Sequence, residues 1–362
     1  MTDLEDKIRA ALHDSQWDLA TWPDPMPRVR RAAARQRARL AATTLVLAAA
    51  IVTPIALLSS TTGTRPTPKP PGGNATATST QFDASRVPSW ASHLGGEVAY
   101  KCGDSVCLMR PGGTGHRTLG ATKTEWDPSW SPDGRRLTFR GYYGQGDGQY
   151  DLYVANANGC QVTRLTHNLN GTSSSWSPNG RQIVFSTPQG IYVINFKGTG
   201  LRRLVRGEKT SYGVDSPTWS RSNVIAYARY LPARQRTEIY TVKTDGSGVS
   251  ALTRGRPGFG QPAWSPDGQS IAFVANPDST SSIEVAAADG TGPHRVSPRG
   301  WISYSPTWTP SGQIVFLHQL GTATRTSAYI MNSNGSDLRL LYPNLNATQI
   351  AWGPAHLPRG RC

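Results

Sequence analysis

A tryptophan recurs six times along this chain at nearly constant spacing, and a similar short sequence motif surrounds the first five copies. The phrase Ser-Trp-Ser-Pro-Asp-Gly or a close variant stands at Ser129–Gly134, Ser175–Gly180 and Ala263–Gly268, with weaker copies at Thr218–Asn223 and Thr307–Gly312. The steps between Trp130, Trp176, Trp219, Trp264, Trp308 and Trp352 are 46, 43, 45, 44 and 44 residues. A period in the forties indicates a repeat architecture, in which each repeat is one supersecondary unit that stacks on its neighbours.

Each period contains the same succession of short β-rich segments. After the tryptophan turn comes a run such as Arg136–Arg140, then a variable loop, then a second run such as Tyr150–Ala155. A turn containing Asn or Asp before Gly follows, and a last run such as Gln161–Thr166 ends the period. Apolar and β-branched runs separated by such turns predict antiparallel hairpins. Four strands per period predict an all-β fold, a six-bladed β-propeller.

Several of these motifs resemble the TolB-type, WD-like β-propeller repeat. They are the Trp-Ser-Pro-Asp-Gly turn from Trp264, the Ile-Ala-Phe run that ends at Phe273, the Asp245-Gly246 turn and the Leu252-Thr253 strand end. The resemblance covers about Pro88 to Pro354, and it implies a six-bladed propeller used mostly for binding. The chain departs from the pattern after Trp219, Trp308 and Trp352, which affects the expected turn geometry there.

The two ends of the repeat region predict how the ring closes. Glu97–Cys102 and Val106–Arg110 read as a hairpin that begins a first blade, whereas Ala347–Trp352 has no blade after it. We therefore expect the C-terminal strand to complete the first blade, because closure removes exposed sheet edges. The propeller domain is predicted to span residues 88–362.

The N-terminal part predicts a different kind of structure. Leu40–Leu58 is an uncharged, mostly apolar run that would span roughly 28 Å as a helix, about one hydrocarbon core. Six arginines within Arg28–Arg39 precede it, which by the positive-inside rule places residues 1–39 in the cytoplasm. The sequence therefore predicts a single-pass cell-membrane protein: a cytoplasmic segment (1–39), a transmembrane helix (40–58), a disordered Pro/Thr/Ser/Gly-rich linker (59–87) and an extracytoplasmic propeller.

Two alternatives remain open for this part of the chain. A cleaved signal peptide would also place the propeller outside the cytoplasm, although its charged region would be unusually long. The amphipathic stretch from Leu4 to Leu12 is either a frayed interfacial helix or a docking segment for a cytoplasmic partner.

The four cysteines predict disulfides, since the propeller is expected outside the cytoplasm. Cys102 and Cys107 flank a short turn and would meet across a hairpin. Cys160 follows a turn in the second blade, and ring closure would bring Cys362 near it. Three pairings are possible, and we favour Cys102–Cys107 with Cys160–Cys362.

The net charge of +15 has two sources. The arginine block before Leu40 accounts for six of the charges, and topology explains that block. The rest is spread over the propeller, where it indicates either a polyanionic partner surface or a solubilising charge. Nucleic-acid binding does not suit a domain expected outside the cytoplasm.

No motif predicts catalysis, a cofactor or a metal. The chain contains no Gly-x-Ser-x-Gly elbow, and its seven histidines lack metal-ligand spacing. Asp133 and Asp267 recur in equivalent tight turns, where a side chain is expected to accept backbone hydrogen bonds. The repeated tryptophans are expected to pack between blades.

Turns alternate between the two faces of a propeller, so the variable loops share the face opposite the repeated turns. Loops on a rigid scaffold are where binding residues concentrate. The sequence predicts that this face recognises an envelope protein, peptide or glycan through Trp126, Tyr142, Tyr143, His167, Tyr212, Arg234 and Trp301. The alternative is that these rings pack against neighbouring blades.

The predicted function is therefore a binding or protein-interaction scaffold at the cell envelope, of undetermined oligomeric state. Two other functions remain open at this stage. One is a propeller lyase or hydrolase that acts on a glycan or peptide, and the other is a transmembrane sensor that signals to the cytoplasm.

Overall fold

Strands dominate the computed structural model of this chain, which describes residues 82–120, 122, 124–142, 150–207, 213–253, 258–275, 280–321 and 325–354. Its strands form six antiparallel sheets of four strands each, arranged as the blades of a propeller. The prediction of an all-β, six-bladed propeller is confirmed.

The four strands of each blade occupy equivalent positions from the axis outward. The innermost strands are β4 (Thr124–Trp130), β8 (Ser174–Trp176), β12 (Val214–Trp219), β16 (Phe259–Trp264), β20 (Ile302–Trp308) and β24 (Ile350–Trp352). The second strands are β1 (Val98–Cys102), β5 (Arg136–Tyr142), β9 (Gln182–Thr187), β13 (Val224–Leu231), β17 (Ser270–Ala275) and β21 (Gln313–Gln319). The third strands are β2 (Ser105–Met109), β6 (Asp151–Asn156), β10 (Gly190–Asn195), β14 (Arg236–Lys243), β18 (Ser282–Ala287) and β22 (Thr326–Asn332). The outer strands are β3 (Arg117–Thr118), β7 (Thr163–Arg164), β11 (Arg202–Arg206), β15 (Ser250–Ala251), β19 (His294–Arg295) and β23 (Arg339–Tyr342).

The ring closes within blade 1, which takes its inner strand from the C-terminal part of the chain. Strand β24 pairs antiparallel with β1 in the register Val98↔Trp352, Ala99↔Ala351 and Tyr100↔Ile350. This is the pairing that the sequence predicted for Ala347–Trp352. Blades 2 to 6 each consist of four consecutive strands, from β4–β7 through β20–β23.

The repeated sequence motifs have structural roles. One aromatic side chain from the second strand of every blade is fully buried: Tyr100, Phe139, Phe185, Tyr227, Phe273 and Phe316. The repeated tryptophan reaches the neighbouring blade, as where Trp308 Nε1 donates a hydrogen bond to Ala263 O at 2.9 Å. In the tight turns, Ser131 Oγ donates to Asp133 Oδ1 at 2.6 Å and Ser265 Oγ donates to Asp267 Oδ1. The hydrogen bond from Ser265 lowers the pKa of Asp267, as expected for a carboxylate with a structural role in a turn.

A segment ahead of blade 1 packs on the closure. It contains the 3-10 turns Ala84–Arg86 and Ser89–His93, and a third such turn is Pro232–Arg234. Phe82, Val87, Trp90 and Leu94 pack against a core shared by blades 6 and 1. The packed region therefore begins before residue 88, where the sequence placed the start of the propeller.

The predicted localisation, a cell-membrane protein with a single transmembrane helix, is wrong on the residues that the structure describes. Among them no helix is long and apolar enough to cross a bilayer, since the helical segments are 3-10 turns of three to five residues. The backbone hydrogen bonds of this part of the chain are instead made largely between strands. The predicted cytoplasmic segment (1–39), the helix (40–58) and residues 59–81 of the predicted linker lie outside the described residues.

A disulfide joins Cys102 and Cys107 across the β1–β2 hairpin, with their Cα atoms 5.8 Å apart. Cys160 is also disulfide-bonded, while its predicted partner Cys362 lies outside the described residues. The Cys160–Cys362 pairing therefore stays a prediction.

We expect the hairpin disulfide to stabilise the propeller only modestly. It closes a short loop, five residues in sequence separation, so a Cys102→Ala/Cys107→Ala variant should lose about 2 kcal/mol of unfolding free energy. Urea titration measures that loss, and peptide mapping without reductant should recover the cross-linked pair. Free thiols at both positions in the oxidised protein would contradict the assignment.

Candidate functional site

The axis of the ring is hollow, and the inner strands line it. Three adjoining cavities lie along the axis, of about 730, 330 and 480 Å³. The largest opens on the face that carries the variable connections, and we call it the funnel. The smallest is the neck below the funnel. The third opens among Trp130, Trp176 and Trp219, on the face formed by the repeated turns, which we call the turn face.

A ring of polar side chains surrounds the neck, one from each blade. Each belongs to the residue three positions before the repeated tryptophan: Asp127, Ser173, Ser216, Gln261, Ser305 and Gln349. We call this set the polar girdle. Six equivalent positions thus place carboxylate, amide and hydroxyl groups around one opening.

An irregularity of the inner strands builds the girdle. Four of its members have left-handed φ values and precede a proline: Asp127 (55°), Ser216 (52°), Gln261 (48°) and Ser305 (53°). At each of these positions the pairing with the second strand shifts register, which is the mark of a β-bulge. Left-handed backbone at a non-glycine residue stores strain, and such strain concentrates at functional sites.

Asp127 is the girdle's carboxylate and joins blade 2 to blade 1. The side chain of Gln349 donates a hydrogen bond to Asp127 Oδ1, and Gln349 Oε1 accepts one from the backbone N–H of Asp127 at 2.8 Å. Burial raises the pKa of Asp127 to about 6. Arg140 opposes this rise in pKa, and the like charge of Asp215 adds to it.

The stability of the propeller should therefore depend on pH through Asp127. Because the folded-state pKa lies above the ordinary 3.8, Asp127 favours folding below that ordinary value, and this contribution is lost as pH rises through about 6. The rise of about two pKa units corresponds to a loss of about 3 kcal/mol. Asp127→Asn should be more stable than the wild type at pH 7.5 and should show a flatter melting-temperature profile between pH 5 and 7. An unchanged profile would show that Asp127 does not titrate in this range.

Arg140 lies on the wall of the funnel, where its guanidinium group contacts two rings that also contact each other. Its guanidinium carbon is 4.8 Å from the ring centre of Trp126 and 4.2 Å from that of Tyr150. The distance from Arg140 Nη1 to Asp127 Oδ2 is 3.9 Å, which is too long for a hydrogen bond. Arg140 Nε is buried without a hydrogen-bond partner. Arg140 thus brings a positive charge to the funnel that a ligand's acceptor oxygens can engage.

Further polar and aromatic side chains complete the funnel. Asp215 lies on its wall, where Oδ1 accepts a hydrogen bond from Ser186 Oγ at 2.9 Å. Phe259 and Tyr304 supply rings from blades 5 and 6. Across the described part of the chain, no group of three or more His, Cys, Asp or Glu side chains could hold a metal ion.

The predicted binding residues that the structure describes all lie toward the variable-loop face, but they do not form one cluster. Trp126 and Tyr142 pack around Tyr150, at centroid distances of 4.9 and 6.0 Å. His167 is exposed beyond β7, and the exposed Arg234 lies 3.8 Å from Glu238 in blade 4. Tyr143 and Tyr212 lie outside the described residues.

Trp301 has a packing environment instead. Its ring stacks on His318 at a centroid distance of 4.0 Å, and Tyr329 meets it edge-on at 4.7 Å. This arrangement matches the alternative in which aromatic side chains pack within or between blades.

Sequence reasoning missed the girdle and Arg140. The signal for the girdle was present in the sequence, because a polar residue stands three positions before each of the six repeated tryptophans, from Asp127 to Gln349. Counting back from the tryptophan would have found all six. Arg140 carries no such signal, since its position beside the funnel follows from the approach of blade 2 to the axis.

Comparisons with known proteins agree with this architecture. The chain is 27% identical over 219 residues to the Tol-Pal system protein TolB of Francisella tularensis, covering 58% of this chain and 49% of the relative. It is 29% identical over 158 residues to the uncharacterised peptidase YuxL of Bacillus subtilis, covering 42% and 22%. The chain thus spans about half or less of the length of these curated relatives. No protein-family model matches it.

Solved structures show the same fold. TolB from Acinetobacter baumannii superposes with a TM-score of 0.61 at 18% identity, over 74% of this chain and 68% of that one. A putative TolB from Agrobacterium tumefaciens gives a TM-score of 0.55 at 18% identity, over 72% and 99%. Fold, axial channel and comparisons together define a β-propeller with an axial channel. More particularly, the chain carries a TolB-like six-bladed β-propeller.

Proposed function

We propose that this chain is a protein-interaction scaffold that binds a polypeptide segment of a partner at the funnel. The observation that carries the proposal is the funnel itself, a cavity of about 730 Å³ where Asp127, Arg140 and Asp215 meet apolar rings. Concave sites with a few converging polar groups are where proteins bind ligands. A cavity that leads into an axial channel suits an extended segment, because such a segment can enter end-on.

Relatives and cysteine chemistry support this proposal. The relatives from Francisella tularensis are named as proteins of the Tol-Pal system, and we extend a role in protein assembly to this chain. The Cys102–Cys107 disulfide indicates an oxidising compartment such as the periplasm. The peptidase name of the Bacillus relative does not extend to this chain, which spans 22% of that protein.

The residues proposed to contact the partner combine both lines of reasoning. From the sequence, the proposed contact residues are Trp126, Tyr142, Tyr143, His167, Tyr212 and Arg234 on the variable-loop face. Trp301 is also included, although we expect its substitution to affect packing more than binding. From the structure we add Arg140, Asp127 and Asp215. Arg140 is proposed to engage acceptor oxygens of the partner segment, while Trp126 offers apolar area beside it.

Photo-crosslinking tests the proposal directly. A benzophenone amino acid is placed at Tyr142, beside the funnel, and separately at Gln269, on the turn face. Adducts specific to position 142 are identified by mass spectrometry, and the partner is purified for titration against the full chain. The proposal requires that a segment of this partner binds the wild-type chain and, when added in excess, prevents adduct formation at position 142. Adducts that form equally at both positions would contradict it.

Substitutions in the funnel should weaken that binding without unfolding the ring. We expect Trp126→Ala and Arg140→Gln each to raise the dissociation constant about tenfold or more, because Arg140 lines the funnel and Trp126 packs against its guanidinium group. Arg135→Gln, an exposed arginine on the turn face, is the matched control and should change binding less than about twofold. If Trp126→Ala instead lowers the melting temperature sharply, its ring is a packing residue.

A further inference from the structure

The turn face has an uneven charge distribution. Across blades 2 to 4, exposed cationic side chains occupy the tight turns and the strand ends beside them: Arg135, Arg181, Lys197, Arg202, Arg203 and Lys243. We call this set the basic sector. Arg135 and Arg181 occupy the same place in the Ser-Pro-Asp-Gly and Ser-Pro-Asn-Gly turns of consecutive blades, so the topology places them side by side.

The basic sector contains two exposed acidic residues, Asp133 and Asp245, against its six cations, and each accepts hydrogen bonds within its own turn. Asp133 accepts hydrogen bonds within its turn and lies 4.0 Å from Arg136. Asp245 accepts hydrogen bonds from the backbone and side chain of Ser247 at 2.8 and 2.7 Å. On blades 5 and 6 the exposed charged side chains of the described turns are Asp267, Asp289 and Asp337 instead. Positive charge therefore predominates in the turns of blades 2 to 4, and the exposed Arg110 extends it into blade 1, whereas acidic side chains predominate in the turns of blades 5 and 6.

Three exposed aliphatic side chains accompany these cations, and a further one, Leu340, lies on the outer strand of blade 6. Val162, Leu201 and Val249 are 40%, 46% and 44% exposed, and each directly precedes the outer strand of blade 2, 3 or 4. In blade 6 the equivalent residue, Leu338, packs against the core instead. Three exposed aliphatic residues at equivalent positions among the cations do not increase solubility, whereas they could contact apolar groups of a binding partner.

We propose that the basic sector is a second docking surface, which binds an acidic protein segment carrying aliphatic side chains. The cations of the sector attract the carboxylates of that segment, and Val162, Leu201 and Val249 contact its aliphatic groups. A flat anionic bilayer fits less well, because lying on this face it would also meet Asp267 and Asp289. A partner segment covers only the basic half. This surface lies opposite the funnel and is independent of binding there.

Fluorescence anisotropy with a defined probe tests the inference. The probe is a labelled peptide of about twelve residues that alternates Glu or Asp with Leu or Val, titrated with the full chain at low and physiological salt. The sector variant is Arg181→Glu/Arg203→Glu/Lys243→Glu. The matched control reverses three exposed arginines toward the other face: Arg206→Glu/Arg299→Glu/Arg325→Glu. Both variants change the net charge equally, so only the location of the charges differs.

We expect the wild-type chain to bind the probe, with affinity that falls as salt rises. The sector variant should weaken binding about tenfold or more, and the control less than about threefold. Leu201→Ser/Val249→Ser, which leaves the charge unchanged, should weaken it severalfold, and Arg140→Gln in the funnel should leave it unchanged. These last two variants separate this surface from the funnel and from a purely electrostatic effect.

Three results would overturn the inference. One is the absence of probe binding to the folded wild-type chain, and another is equal weakening by the sector and control variants, which would indicate net charge alone. The third is sector-dependent binding to vesicles of phosphatidylglycerol and phosphatidylcholine in place of the probe, which would assign the surface to lipid. Circular dichroism of each variant establishes that the propeller is folded.

Discussion

Truncation after Asn346 is expected to abolish the cooperative stability of the propeller. The deletion removes β24, and with it the buried side chains of Ile350 and Trp352 and the pairing with β1. Loss of one large buried side chain costs about 3–5 kcal/mol, so losing both approaches the whole stability of a typical domain. The melting temperature should fall by about 15 °C or more, or the transition should disappear.

A second truncation provides the control. Ending the chain after Pro354 keeps β24 and its contacts, including the bond from Trp352 Nε1 to Gly95 O at 3.0 Å, and removes the residues beyond the described ring. If both truncations lower the melting temperature equally, the closure strand is not the cause. Scanning calorimetry of the two proteins and the full chain measures the difference.

Substitution of a single glycine should produce the next largest effect. In Gly290→Ala the new Cβ would lie 2.4 Å from the carbonyl oxygen of Leu252, a backbone atom of the neighbouring blade. The φ of +85° is also strained for alanine. Backbone cannot withdraw as a side chain can, so we expect a loss of about 3 kcal/mol in unfolding free energy.

The same turn contains the control for this prediction. Gly292 has a φ of +61°, and a Cβ there meets nothing within 4 Å. Gly292→Ala should therefore cost only the conformational strain, about 1 kcal/mol. Urea midpoints of the two variants give the comparison. Equal losses would mean that the contact with Leu252 has no separate cost.

The repeat explains why the fold was predictable and much of the site was not. The tryptophan turns and the Asn/Asp-Gly turns are local signals, and each reports a chain reversal without knowledge of its neighbours. Gly159, Gly290 and Gly335 show the limit of such signals. A Cβ added at any of the three would lie 2.4–2.8 Å from a carbonyl oxygen of the preceding blade, so the requirement for glycine comes from blade packing as well as from the turn.

For the binding residues too, local sequence signals predicted one property and contacts within the folded structure decided another. Sequence reasoning placed Trp126 and Tyr142 toward the variable-loop face, because hairpin direction alone decides the face. It could not separate rings beside the funnel from Trp301, which stacks on His318 within blade 6. That distinction depends on which side chains of other strands contact each ring, which no spacing within one repeat encodes.

By itself, the sequence determined the number of blades, the order of their strands and the strand that closes the ring, because these depend on a periodic pattern of local turns and apolar runs. Only the tertiary structure decided which side chains contact one another within the channel. Asp127 and Gln349 are separated by 222 positions yet form a hydrogen bond between blades 2 and 1. Burial of Asp127 within the closed ring raises its pKa to about 6. Contacts between residues so distant along the chain exist only once the six blades have closed into a ring.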